Sequence, residues 1–257
     1  MTPEIISNFI AENINVGKTL IATNLAVLLA KLGKRTLLVD ADFGMANANV
    51  MFGVNPKRSI ESILDGTATV DEVTCNVMDK LDIIAGGTGE SALLDLDQSE
   101  RGNVIRNLTN TKGSYDYHIV DTSAGASKSS VDFCASCDKL LVVIVGEPTS
   151  FLDAYSLIKV AHLDYGLDNF GIIVNQASNE TQGLRLFKKF GEITDRFITV
   201  NQNYIGYVPH TTNLQKSVLS RKPVLASLES GPEYDAFSKI YKNLGNLNIN
   251  DFNGLKI

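Results

Sequence analysis

Seven short runs along this chain are apolar almost throughout: residues 5–11, 36–40, 81–85, 117–121, 139–145, 170–175 and 204–209. A strand that is apolar on both faces has to be covered on both, and this is the pattern of a parallel sheet sandwiched between helices. Longer segments with helical spacing lie between most of the runs, at residues 18–32, 98–111, 150–165, 181–197 and 233–244. Gly33 closes the first of them, since glycine takes the left-handed cap conformation at little cost. The predicted fold is therefore α/β, a doubly wound and mostly parallel sheet in three layers. With 257 residues, 44% of them hydrophobic, the chain can bury one large core. We expect one domain over residues 1–245, followed by a flexible Asn- and Gly-rich tail over 246–257.

Ligands of such sheets gather at the carboxyl ends of the strands, so the polar residues placed there matter most. After the first run comes Gly17-Lys18-Thr19, opening a helix. These residues end the phosphate-loop pattern G-x-x-x-x-G-K-[ST], in which backbone N–H groups and the helix dipole face a phosphate. Lys18 would reach the β/γ oxygens, and Thr19 would offer its hydroxyl to Mg²⁺. The second run ends on Asp40, with Asp42 two residues on. The fourth ends on Asp121, with Gly125 four residues on, in the form of a metal-side acid followed by a loop that senses a γ-phosphate. Each element is weak alone, but three in order at successive strand ends of one sheet are hard to obtain by chance.

Through these residues the sequence resembles the MinD/ParA group of P-loop ATPases, and within it the FlhG (FleN/YlxH) branch of flagellar-number regulators. The segments that carry the likeness are "VGKTLIATNLAVLLAKLGKRTLLVDADFGMANANVMFGV", "YHIVDTSAGAS", "EPTSFLDAYSLIKV" and "VLSRKPVL". The resemblance implies a slow, ATP- and Mg²⁺-dependent switch that dimerises on nucleotide and acts through flagellar or polar regulatory proteins. Carried over by position, Asn13, Asn15, Val16, Gly17, Lys18, Thr19 and Leu20 surround the phosphates. Lys18, Asp42 and Asp121 take the catalytic roles, with Asp42 orienting the attacking water. Thr19, Asp40 and Asp121 form or support the Mg²⁺ shell, Gly125 belongs to the switch, and Asn175 and the loop from Pro209 flank the adenine.

The loop departs from the family pattern K-G-G-x-G-K-[ST]. Asn13 stands where the family lysine reaches across a dimer, Ile14 and Asn15 replace the two glycines, and Glu12 precedes them. Losing that cation is expected to slow hydrolysis or abolish it. A pseudo-ATPase scaffold is thus the competing reading, and a ParA-like partition protein a third. The family also usually carries an acid two residues after the proline of the base loop, where this chain has Thr211. The D-Q-A-x-x-L-R motif common in the flagellar branch is not found.

A net charge of −6 does not favour DNA as a partner. Three cysteines give no disulfide framework, and with no signal peptide or long apolar run they point to a reducing cytoplasm. Peripheral contact at the inner face of the membrane is only weakly supported, because the C-terminus has little basic charge. Cys134 and Cys137 form one C-x-x-C, for which buried structural thiols are preferred over an iron–sulfur site. His118, His162 and His210 have no neighbours at metal-ligand spacing.

Overall fold

The computed structural model describes residues 4–9, 17–42, 46–87, 107–108, 111, 114–123 and 128–250. Among these, eight strands form one sheet: β1 (Glu4–Phe9), β2 (Thr36–Ala41), β3 (Thr74–Met78), β4 (Leu81–Ile84), β5 (Tyr117–Thr122), β6 (Lys139–Ile144), β7 (Asn169–Ala177) and β8 (Asn201–Pro209). Their order is β3-β4-β2-β5-β1-β6-β7-β8. Every adjacent pair is parallel except β3 and β4. The described helices are α1 (Lys18–Lys31), α2 (Ala48–Met51), α3 (Ile60–Leu64), α4 (Val70–Val73), α5 (Lys128–Ala135), α6 (Pro148–Tyr165), α7 (Glu180–Thr194), α8 (Thr212–Ser220) and α9 (Pro232–Leu244). A 3₁₀ turn, Val224–Ala226, joins the last two.

Alternation along the strands builds the three layers. Leu38, Ile119, Leu141 and Val143 face α1 and α9. Their neighbours Leu37, Val39 and Val120 join Ile60 and Ile63 of α3 on the other side of the sheet. Further along that side, Leu140, Val142 and Ile144 pack with α5 and α6. The chain leaves β1 toward β2 on one side and later returns to its other side through β6, so the carboxyl end of β1 opens a crevice.

α1 is buried all round, with Ile21, Leu25, Leu28 and Leu29 at 1% exposure or less. Burying each of these side chains contributes about 1.5–3 kcal/mol. The helix ends in a Schellman motif: Gly33 N–H bonds Ala30 O and Lys34 N–H bonds Leu29 O, with Gly33 at φ 83°. Its outer side is clamped by the end of the "VLSRKPVL" segment and the residues just after it. Leu225 N–H donates to Asn24 Oδ1 at 3.0 Å, and Lys31 Nζ donates to Leu228 O at 2.9 Å. "EPTS" also has a local cause: Pro148 opens α6, and Ser150 Oγ accepts from Val145 N–H at 3.0 Å, tying the helix to the end of β6.

Two expectations need correcting or narrowing, and Cys134 and Cys137 can be placed. The tail does not leave the body at residue 246. Leu247 is buried, and Asn250 accepts from the N–H groups of Asp168 and Asn169, donates to Asn169 O through Nδ2, and bonds Asp138 O through its own N–H. Those bonds stitch the chain onto the sheet as far as Asn250. Cys134 lies in α5, but Cys137 lies past its end. Both thiols are buried and donate to carbonyls one turn back, Ser130 O and Phe133 O, and burial pushes the Cys134 thiol well up. Of the helix expected over 98–111, only residues 107–108 are described as helical.

His118 gives a pH test of the core. It is buried in β5 with Nε2 3.0 Å from Thr111 Oγ1, and burial pushes its pKa down from 6.5 to about 4. The folded state therefore keeps the ring neutral while the unfolded chain protonates it. This contribution to stability is complete above pH 6.5 and is lost as pH falls toward 4, by about 3 kcal/mol. Denaturant melts across that window are expected to show an acid loss that His118→Gln removes. Parallel curves for the two proteins would refute the assignment.

Candidate functional site

The site lies where β1, β2 and β5 end. Gly17 precedes α1 at φ 81°, which a residue with a side chain rarely adopts. A Cβ there would also lie 2.5 Å from Asn175 Nδ2, so a side chain at this position would both strain the backbone and displace Asn175. Lys18 and Thr19 then begin α1, where backbone N–H groups and the helix dipole favour an anion. Asn13, Asn15 and Val16, with Glu12 and Ile14, lie outside the described residues, as does Gly125.

Lys18 is buried at 7% exposure, and burial lowers its pKa while Asp121 and Asp42 oppose the shift. Asp121 is 1% exposed at the end of β5 and bonds the Thr19 hydroxyl, yet its Oδ1 is buried with no hydrogen-bond partner. Burial pushes Asp121 up to about 7, against the pull of Thr19 and Lys18.

Asp40 is held by backbone donors on both carboxylate oxygens. Oδ1 accepts from Asp42 N–H at 3.1 Å, and Oδ2 accepts from the N–H groups of Asn47 and Ala48, each at 2.9 Å. It ties the end of β2 to the start of α2 and holds the backbone at Asp42. Burial and the neighbouring Asp121 raise Asp40 to about 8. Gly86 is packed onto it, since a Cβ there would come within 3.2 Å of Asp40 Cγ.

A cleft of about 590 Å³ opens above these residues. Its floor is Gly17, Lys18, Thr19 and Asp42, and Asn175, Gln176 and Pro209 continue it. The far wall is α8 with the loop before it. Sequence reasoning missed α8, although Thr211 marks its start by accepting from Leu214 N–H at 3.3 Å. Thr211 also donates to Glu233 Oε1 at 2.6 Å, so the position where an acid was expected serves a buried acid elsewhere.

The residues present fit a magnesium ion. A hydroxyl and a carboxylate lie side by side, one buried carboxylate oxygen lacks a partner, and Mg²⁺ takes oxygen ligands of this kind. Among the described residues Lys18 is the one lysine or arginine lining the cleft, and Asp42 stands beside it, so a bound cation would add positive charge for a polyphosphate. Among the described residues no group of three His, Cys, Asp or Glu gathers as a metal cage. A Mg²⁺ carried largely by phosphates and water needs no such cage.

With the strand order, this geometry defines the class: a nucleotide-binding protein of the P-loop kind. Residues 11–224 match the CobQ/CobB/MinD/ParA nucleotide binding domain. The chain belongs to that family. It is 32% identical over 225 residues to the antiactivator FleN of Pseudomonas aeruginosa, covering 88% of this chain and 80% of FleN. It is 29% identical over 208 residues to the flagellum site-determining protein YlxH of Helicobacter pylori, covering 80% and 70% of the two chains. Among solved structures, the Pyrococcus furiosus cell division ATPase MinD superposes with a TM-score of 0.79 at 20% identity, covering 96% of this chain and 99% of that one. MinD of Pyrococcus horikoshii complexed with Mg-ADP gives 0.78 at 20% identity, covering 94% and 96%.

Proposed function

We propose that the protein is an ATP-binding switch of the FlhG type, regulating flagellar number or placement through nucleotide-dependent dimerisation and protein partners. The observation that carries the nucleotide part is the Thr19–Asp121 pair beside buried Lys18, with one Asp121 oxygen unpartnered. The flagellar part rests on the likeness to FleN and YlxH.

In this reading Lys18 grips the β/γ oxygens, and Thr19 and Asp121 hold Mg²⁺. Asp40 holds the backbone at Asp42, and Asp42, beside Lys18, orients the attacking water. When bound there, Mg²⁺ would supply positive charge to offset the charge that develops on the phosphates. The base would sit between Asn175 and the Pro209 loop. Hydrolysis is slow because Asn13 supplies no cation across the dimer. The scaffold reading, a fold that keeps its partner surface without turnover or a response to nucleotide, draws on the same substitution.

Calorimetric titration with Mg-ATP tests the reading. Micromolar binding is expected, weakened at least about a hundredfold in Lys18→Ala, because charge-assisted bonds to phosphate are lost at a buried position. No heat at millimolar Mg-ATP would leave the scaffold in its place.

A further inference from the structure

The wall facing the phosphate site is held in an unusual way. α8 is nine residues long and buries only Leu214 and Ser217, while Val218 and Leu219 stand 48% and 85% exposed. Apolar packing this sparse does little to fix the angle of a short helix. What joins α8 to the body is polar. Glu233, in the first turn of α9 and 2% exposed, accepts from the Thr211 hydroxyl at 2.6 Å and from Asn213 Nδ2 at 3.1 Å, both on Oε1. α9 is itself firmly anchored, with Phe237 and Ile240 fully buried. Its N-terminus favours a negative charge at Glu233.

We propose that Glu233 is a positioning residue for the nucleotide base, holding the loop and helix that form the base end of the cleft. Pro209, His210, Thr211, Leu214 and Gln215 all line that end, and His210 Nε2 lies 2.9 Å from Gln215 Nε2. Swinging the wall outward would strip both donors from a buried carboxylate, so the wall stays where Glu233 puts it. The pocket is thus organised before a ligand arrives, and preorganisation of this kind is gained as affinity. The inference rests on the nucleotide-binding reading and assigns Glu233 a role only at the base, not at the phosphates.

Comparing ATP with inorganic triphosphate, each with Mg²⁺, separates the two ends. Calorimetry on Glu233→Ala is expected to show ATP weakened about tenfold or more, with triphosphate unchanged. Thr211→Val, which removes a donor but leaves the carboxylate, should act the same way and covers the case in which Glu233→Ala fails to fold. Glu233→Gln keeps an acceptor oxygen for both donors and should retain ATP affinity within about threefold. An unchanged ratio of ATP to triphosphate affinity in the folded variants would overturn the proposal. So would a wild type that binds both equally, although the nucleotide reading would then stand. A wild type that binds neither removes both.

Discussion

Asp121→Asn is expected to be more stable than the wild type at pH 8 without nucleotide, and to lose its response to Mg²⁺. The carboxylate is buried with one oxygen unpartnered, and its pKa lies at about 7 instead of 3.8. A carboxyl group raised on folding favours the folded state fully only below its unfolded pKa, and that contribution is lost as pH rises through the folded value. Between pH 4 and 7 the loss amounts to at most about 4 kcal/mol. Asp40, raised to about 8 partly by Asp121, adds to the same slope. An asparagine carries no charge and removes the repulsion on Asp40, so the variant's denaturation curves should change less between pH 5 and 8. Saturating Mg-ATP should reverse the ranking. A ligand at a hundred times its Kd stabilises by about 2.7 kcal/mol, and the variant, without its metal-facing oxygen, should gain little of that. Equal pH slopes in the two proteins would show that Asp121 is not an unneutralised charge, and the metal assignment would lose its main support.

The same residue shows how far a sequence can be read. Asp121 was legible because an acid at the end of an apolar strand breaks the pattern at the place where this fold collects ligands. Lys18, Thr19 and Asp42 were found by the same logic. β3 was not, because "TCNVM" is an antiparallel edge strand, half exposed and partly polar, with no apolar run to announce it. β8 begins at Asn201, three polar residues before its apolar part. Asp40 was located, but its three bonds to backbone N–H groups depend on where Asp42, Asn47 and Ala48 come to lie, and spacing does not encode that. The Thr211–Glu233 contact spans 22 residues and exists only once α9 has docked on β8. Local chemistry therefore pointed to the Lys18 end of the cleft. The Thr211 end is a tertiary product, and α8 had too few apolar positions to reveal it.

Asn13→Lys is expected to raise ATP hydrolysis, and this should be the largest functional gain any single substitution brings. In the family pattern a lysine at this place meets the partner's phosphates, so in this chain a dimer would bring together two nucleotides with no added cation. Asparagine can donate a hydrogen bond, but it cannot neutralise the charge that develops on the transferred phosphoryl group. A cation placed there by another route, the arginine finger, is worth about 10³–10⁵ in rate. Ile14, Asn15 and Glu12 still shape the rest of the loop, so the gain from one substitution should fall below that range, though at least about tenfold. Single-turnover hydrolysis at protein concentrations spanning dimer formation is the measurement, with Lys18→Ala combined as the control. The gain should appear only at concentrations that support dimers, since the lysine acts on the partner's nucleotide. A rate increase independent of concentration would place the new lysine on its own phosphates. An unchanged rate, with ATP bound and dimers formed, would mean that the missing cation does not limit turnover.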